Sequence, residues 1–382
     1  MLKKFEVTNY KNFKDKIEID FSKVGGYQFN QNCIMENLVS KMLVYGRNAT
    51  GKTNLGRALL DITNVAIGSG IVRLQSGMFL NADSEEMFAQ FSYTFLFGNT
   101  EIEYKYKKAN DYQLLDEELS INKELAFAYN FVAKEGQFNL GVLEADTADV
   151  RRFIQADIST EDEDLSARSL PFLRWLINNA ALREGSVLLQ LDDFIRRMSL
   201  LAVGNVMVRR PPRMNEAFYD VLEKDDNLKD FETFLNIMGV ECKLRLITLP
   251  EGQKELYFDH DKPVLFYETA SSGTLALTTL YRRLLLGKEA SLLYVDEFDA
   301  FYHYEMSEKM IMYFKQRYPK CQLILTTHNT NLMTNKIMRP DCLFILSRKG
   351  KLTALCDATE RELREGHNLE KLYISGEFEQ YE

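Results

Sequence analysis

Hydrophobic and polar positions alternate at the start of the chain, in "KKFEVTNY" and "KIEIDF", and give way to a nearly unbroken apolar run in "KMLVY". Period two marks a strand with one buried face, and a short continuous apolar run fits a strand buried on both faces. Three strands are therefore predicted within residues 1–45, followed by a turn feeding a helix in "GRNATGKTNLGRALLDITNVAIG". In "FAQFSYTFLFGNTEIEYKYKK" the aromatics Phe91, Tyr93, Phe95 and Phe97 alternate, "GNT" turns, and Ile102, Tyr104 and Tyr106 alternate back, which predicts a hairpin. Such a stripe could stack nucleic-acid bases, but the stronger expectation is the buried face of a sheet.

From about residue 110 the alternation fades. Helical stretches take over, such as "SARSLPFLRWLINNAALREG" and "VLLQLDDFIRRMSLLA", punctuated by the acidic "STEDEDL" and the proline-bearing "RRPPRMNEAF". Strands resume in "CKLRLITLPEGQKELYFDHDKPVLFYE", a predicted hairpin with "PEGQ" near its turn. An amphipathic helix then opens at "SSGT". After it come a strand (292–295), a helix (305–317), two strands (322–327 and 342–346) and a last hairpin arm, "KLTALC". The expected organisation is an N-terminal lobe (1–110), a mainly helical insertion (111–238) and a C-terminal lobe (239–382), the two lobes being halves of one α/β fold.

Composition narrows the class. With 382 residues, 46% hydrophobic and 27% charged, the chain has the profile of a soluble globular protein with a real core. No apolar run approaches a membrane span and no signal-peptide block opens the sequence, so a cytoplasmic protein without a membrane partner is expected. The five cysteines and four histidines are dispersed without zinc spacing, and free buried thiols are expected. A net charge of −9 excludes a surface that binds nucleic acid throughout, although a local basic groove stays open. The densest basic patch, Arg209, Arg210 and Arg213 of "VMVRRPPR", reads as a solvated turn ahead of a binding site.

"GRNATGKT", Gly46 to Thr53, fits G-x-x-x-x-G-K-[ST] in full, between an apolar strand and a helix. Gly46 and Gly51 let the backbone wrap so that the N–H groups of this loop (Arg47, Asn48, Ala49 and Thr50 included) point at phosphate oxygens, and the helix dipole adds to them. Lys52 is expected to reach the β- and γ-phosphates of ATP and the Thr53 hydroxyl to ligate Mg²⁺.

"LLYVDEFDAFYH" ends an apolar strand on two adjacent carboxylates, which repel unless they have a metal or a task. Beside a phosphate cradle, Asp296 would hold the Mg²⁺ shell and Glu297 would act as general base toward water. "CQLILTTHNTNLM" ends another apolar strand at His328, which could bond the γ-phosphate. His303 and Asp299 are weaker candidates. Ser271, Ser272, Gly273 and Thr274 open a helix and form a second anion site by the same physics, in the other half of the chain.

The order of cradle, "SSGT", "YVDEFD" and "TTHNT" resembles the ABC-type ATPase heads of the SMC, RecF and OLD group. The fold implied is an α/β P-loop NTPase of that head type, with a mixed N-terminal β lobe, a RecA-like core and a helical insertion. By the resemblance Ser271 stands at the signature serine and Gly273 at its second glycine, while Ser272 departs from the usual first glycine. Head-to-head homodimers, or higher homo-oligomers, are implied, with two ATPs between them and Ser271 acting in trans.

"ETASSGTLALTTLYRRLL", "CQLILTTHNTNLM", "MRPDCLFIL" and "HNLEKLYISGEF" look similar to the AAA ATPases of bacterial abortive-infection L and related anti-phage systems. That likeness implies a regulator encoded beside an effector, often a TOPRIM-type or other nuclease. DNA and a phage component are further candidate ligands. A RecF-like DNA-repair ATPase and an ATP-gated scaffold with little turnover are the alternatives. The stretch after His328 is too short for a TOPRIM domain, which argues against an OLD-type nuclease.

Overall fold

The computed structural model describes residues 1–68, 78–145, 147–159, 170–203, 216–224, 226–286 and 289–382. The basic patch Arg209, Arg210 and Arg213 and most of the acidic "STEDEDL" lie outside the described residues.

Two large sheets organise the described residues. The first has seven antiparallel strands, running in space from Glu135–Phe138 through Glu124–Asn130, Leu114–Ile121, Thr100–Lys108, Ala89–Phe97 and Leu2–Thr8 to Ile17–Asp20. The predicted hairpin pairs Phe91 with Tyr106, Tyr93 with Tyr104 and Phe95 with Ile102. These six side chains are fully buried, so the aromatic stripe is core and not a base-stacking platform. The opposite face is polar and charge-balanced, with Lys4 to Glu18 at 2.9 Å and Lys107 to Asp116 at 2.8 Å.

The expected switch to helix at residue 111 is corrected here, because three strands between 114 and 138 continue this sheet without a break. In the first of these, Leu114–Ile121, the reason is Glu117. It occupies an inward position of "LLDEELSI", where a carboxylate hides the alternation. There it accepts hydrogen bonds from the Tyr104 hydroxyl (2.9 Å) and from the backbone N–H of Phe172 (2.6 Å) and Leu173 (2.8 Å). A strand residue thus satisfies the first donors of the Phe172–Asn179 helix.

Burial pushes the Glu117 carboxyl up to about 7, against the pull of those three donors. The fold therefore holds a proton that the unfolded chain releases near the ordinary glutamate value. This carboxyl is expected to cost stability progressively as pH rises from about 4.5 to about 7, by about 3 kcal/mol in all, with no further change above. Urea unfolding of the wild type and Glu117→Gln across that window checks it: the wild type alone should lose this increment.

The second sheet runs in space Met198–Ala202, Leu292–Asp296, Gln322–Thr327, Lys41–Tyr45, Leu343–Leu346 and Leu352–Ala354, all parallel except the last. Its three middle strands are buried at every position, as a parallel sheet covered on both faces requires. The edge strand Met198–Ala202 comes from the segment expected to be helical. Its "MSLLA" follows the Val187–Arg196 helix directly, and the two apolar runs merge in the sequence.

Five longer helices do lie in that segment: Val150–Ser159, Phe172–Asn179, Val187–Arg196, Glu216–Leu222 and Asn227–Ile237. The predicted "PEGQ" hairpin forms with Thr248 opposite Lys254. Cys33, Cys321 and Cys342 are buried thiols, whereas Cys242 and Cys356 are only half-buried.

The two sheets are joined by polar links. The Gln322 side-chain amide accepts from the Leu2 N–H (2.7 Å) and donates to the Leu2 carbonyl (2.8 Å). Asp61, on the Lys52–Ile62 helix, pairs with buried Lys108 of the antiparallel sheet at 2.8 Å. The result is an α/β fold in which an antiparallel β lobe is joined to a mainly parallel sheet that carries the cradle. The strand carrying the cradle lies at the centre of the parallel sheet, so Tyr45, Asp296 and Thr327 end at one edge, the carboxyl edge where such sheets bind ligands. No helix among the described residues is long and apolar enough to cross a membrane.

Candidate functional site

The cradle leaves the sheet at Gly46 and enters the Lys52–Ile62 helix at Gly51. Two residues of the loop take left-handed backbone, Ala49 at φ +65° and Gly51 at φ +100°. At Gly51 a Cβ would also collide with the Asn12 side chain, so glycine is required there twice over. Asn12 comes from a turn of the N-terminal lobe. It donates to the Thr50 carbonyl (3.1 Å) and accepts from the Asn54 amide (2.7 Å), holding the loop from outside. Sequence reasoning missed Asn12, whose only signal was its place in a turn after the first strand.

Lys52 folds back over the loop and donates to the carbonyls of Gly46 (2.7 Å) and Arg47 (3.1 Å). Burial holds its ammonium below the usual lysine range, with Glu297, Asp296 and Asp299 pulling it back up. The exposed side chains at Arg47, Asn48 and Ala49 rim the loop, and Thr50 is buried with its hydroxyl on the Arg47 carbonyl (3.0 Å). The Arg47 guanidinium pairs with Glu382 and bonds Tyr373, whose hydroxyl donates to that of Tyr45 at 2.9 Å.

The acid pair meets the cradle directly. Thr53 Oγ1 donates to Asp296 Oδ2 at 2.6 Å, although 243 positions separate the two in sequence. The approach depends on Gly56, where a Cβ would lie 2.5 Å from the Tyr294 ring, and on the Tyr294 hydroxyl, which donates to the Lys52 carbonyl at 2.6 Å. Glu297 is half-buried and turns out of the strand at φ +48°. Its N–H donates to Thr326 Oγ1 at 2.8 Å, and the same hydroxyl donates to Asp296 Oδ1 at 2.8 Å.

Asp299 joins this cluster. It accepts from Thr327 Oγ1 at 2.7 Å, and its Oδ1 is buried without a hydrogen-bond partner among the described residues. Burial pushes its carboxyl above the usual range, against the Thr327 hydroxyl, a backbone N–H and the charges of His328 and Lys52. His328 is exposed one residue beyond Thr327, at the same sheet edge. His303 is exposed too and serves through its carbonyl, which accepts from Met306 and Ser307 N–H (3.0 Å each) at the start of the Tyr304–Arg317 helix.

Ser271 caps the Ser272–Leu286 helix: its hydroxyl accepts from the Thr274 N–H at 3.1 Å and lies 2.9 Å from the buried Thr274 hydroxyl. Ser271 and Ser272 are exposed, and a Cβ at Gly273 would meet nothing closer than Ser271 Oγ at 3.8 Å. Among the described residues, no hydrogen bond joins Ser271–Thr274 to the cradle in this chain.

The Thr53 hydroxyl and the Asp296 carboxylate, in contact at 2.6 Å beside the loop, form a hard-oxygen set that suits Mg²⁺ with a phosphate ligand. The Lys52 ammonium, held on the loop's own carbonyls, supplies a cation suited to phosphate oxygens. The residues present therefore fit a magnesium–nucleotide pair.

A family model described as "AAA domain, putative AbiEii toxin, Type IV TA system" matches residues 41–334. Among similar solved structures, an SmcHead bound to the C-winged helix domain of ScpA is 17% identical, covers 93% of this chain and 97% of its own, and has a TM-score of 0.47. The SMC head domain from Thermotoga maritima is 12% identical, with 92% and 98% coverage and a TM-score of 0.45. An Smc head domain with an extended coiled coil, bound to the C-terminal domain of ScpA derived from Pyrococcus furiosus, is 15% identical, with 93% and 96% coverage and a TM-score of 0.46. No curated protein matches the chain.

Proposed function

Because the chain belongs to this AAA domain family, we propose that it binds and hydrolyses ATP with Mg²⁺ and pairs head-to-head around the nucleotide. In this reading it is a regulatory subunit that controls a partner effector, a TOPRIM-type or other nuclease encoded nearby, in bacterial anti-phage defence. The observation that carries the nucleotide chemistry is the 2.6 Å contact between Thr53 and Asp296, which brings the cradle and the acid strand together at one point.

The loop from Gly46 to Thr53 holds the phosphates through its backbone donors, and Lys52 swings from its carbonyls to the β- and γ-phosphates. Thr53 and Asp296 would hold Mg²⁺, which when bound would supply charge neutralisation at the phosphate oxygens. Glu297 takes the proton of the attacking water, and His328 bonds the γ-phosphate.

Ser271, Ser272, Gly273 and Thr274 complete the site of the other copy. Two features support this. The serines are exposed at a helix start, and Gly273 has open space, so no packing within the chain requires a glycine there. Direct action on DNA alone gains no support from the outer face of the antiparallel sheet, whose lysines are matched by carboxylates.

Two variants test the shared site. Lys52→Ala is expected to lose ATP binding or turnover, and Ser271→Arg to lose turnover while keeping ATP binding. Mixing them leaves one composite site per heterodimer with both groups intact, so activity should partly return. No recovery in verified heterodimers would count against sharing, and full hydrolysis by Lys52→Ala would count against the ATPase reading itself.

A further inference from the structure

We propose that Thr326 is a positioning residue for hydrolysis, fixing the metal-holding and proton-accepting carboxylates together through one hydroxyl. The inference rests on the reading above of Asp296 and Glu297.

Thr326 is fully buried and precedes the strand-end Thr327-His328 pair. A threonine hydroxyl has one proton to donate and lone pairs to accept with. Here the proton goes to Asp296 Oδ1 (2.8 Å), and a lone pair receives the Glu297 N–H (2.8 Å). The Thr326 carbonyl also accepts from the Phe298 N–H at 3.2 Å, so three consecutive residues of the acid turn are bonded to one residue of the neighbouring strand.

Parallel pairing of Val295 with Leu325 sets this register and brings Thr326 beside Asp296. Glu297 has left the strand by its left-handed turn, and its N–H finds the hydroxyl where a ladder carbonyl would otherwise serve.

The division of labour on Asp296 is informative. Oδ2 faces Thr53, the hydroxyl assigned to the metal, while Oδ1 faces Thr326 on the other side. A carboxylate held at its far oxygen cannot rotate its near oxygen away from the metal. Outer partners of this kind commonly change metal affinity or activity by about 10–100-fold when removed. The same hydroxyl pins the peptide that aims the Glu297 side chain. One substitution should therefore disturb both metal use and the chemical step, and leave the phosphate cradle alone. Thr327 has a different task, donating to Asp299 and accepting the Asn329 N–H at 2.9 Å, so it does not duplicate the role.

The experiment compares Thr326→Val, which keeps the shape and deletes the hydroxyl, with Thr326→Ser, which keeps the hydroxyl, in the full chain. In a Glu297→Gln background that blocks turnover, ATP affinity is titrated with and without Mg²⁺. Thr326→Val is expected to leave the Mg²⁺-free affinity unchanged and to reduce the Mg²⁺-dependent gain about tenfold. With Glu297 restored, its kcat should fall about 10–100-fold, and Thr326→Ser should return both quantities to within a few-fold of wild type.

A folded Thr326→Val with wild-type kcat and Mg²⁺ response would overturn the proposal, as would a Thr326→Ser equally impaired. If Thr326→Val does not fold, Thr326→Ala takes its place with the same expected and overturning results. Absence of Mg²⁺-dependent hydrolysis in the wild type would instead sink the reading of the site, whereas normal hydrolysis that is lost in Glu297→Gln but untouched by Thr326→Val sinks only this inference.

Discussion

Glutamine at position 297 is expected to lower ATP turnover by about 10²–10⁴-fold while ATP binding is retained. The change removes one proton-accepting oxygen and the negative charge that, with Asp296 and Asp299, supports the Lys52 ammonium. The backbone anchors of the residue, its N–H on Thr326 and its carbonyl accepting from the Ala300 N–H at 3.1 Å, do not involve the side chain and survive the substitution. Thr53, Asp296 and Lys52 likewise keep their hydrogen bonds, none of which involves the Glu297 side chain. Single-turnover hydrolysis alongside a nucleotide titration checks both halves. Undiminished cleavage would remove Glu297 from the role of base, and lost binding would show that the side chain holds the substrate instead.

Asp61→Ala should destabilise the fold by about 3–5 kcal/mol, the usual cost of stranding a buried partner charge. The Asp61 carboxylate accepts two bonds from Lys108 Nζ (2.8 and 3.0 Å) and one from the Tyr106 hydroxyl (2.9 Å), and both charged side chains are almost wholly out of solvent. Removing the acid leaves an ammonium in an aromatic interior. Replacing both charges, as Asp61→Leu with Lys108→Met, should return stability to wild-type level or above, because Tyr106 keeps its 3.3 Å hydroxyl contact with Tyr93. Urea unfolding of the single and double variants decides the matter. A single variant costing under about 1 kcal/mol would mean that water reaches Lys108.

The parts of the candidate site are legible wherever they are written locally. Gly46 to Thr53, Asp296-Glu297 and His328 each follow a strand with an apolar run (42–45, 292–295 and 323–325), and a parallel sheet buried on both faces announces itself by such runs. What holds these pieces together is not local. Thr53 and Asp296, Tyr294 and Gly56, or Thr326 and the acid turn meet because of strand register and helix docking, which no spacing along the chain reveals. Glu117 shows the opposite failure, since a carboxylate at an inward position masks the alternation of its own strand, Leu114–Ile121. Asp299, a weaker candidate by sequence, lies in the buried cluster, while His303 lends only its backbone to a helix start.

The Tyr294 ring wedged against Gly56, with its hydroxyl on the Lys52 carbonyl, welds the helix behind the cradle to the strand bearing the acids. Close-packed interiors transmit displacement instead of absorbing it. The spacing between Thr53 and Asp296 is therefore a rigid dimension of the molecule, a fixed gauge against which a bound ligand is measured. A displacement of either element would carry the other with it.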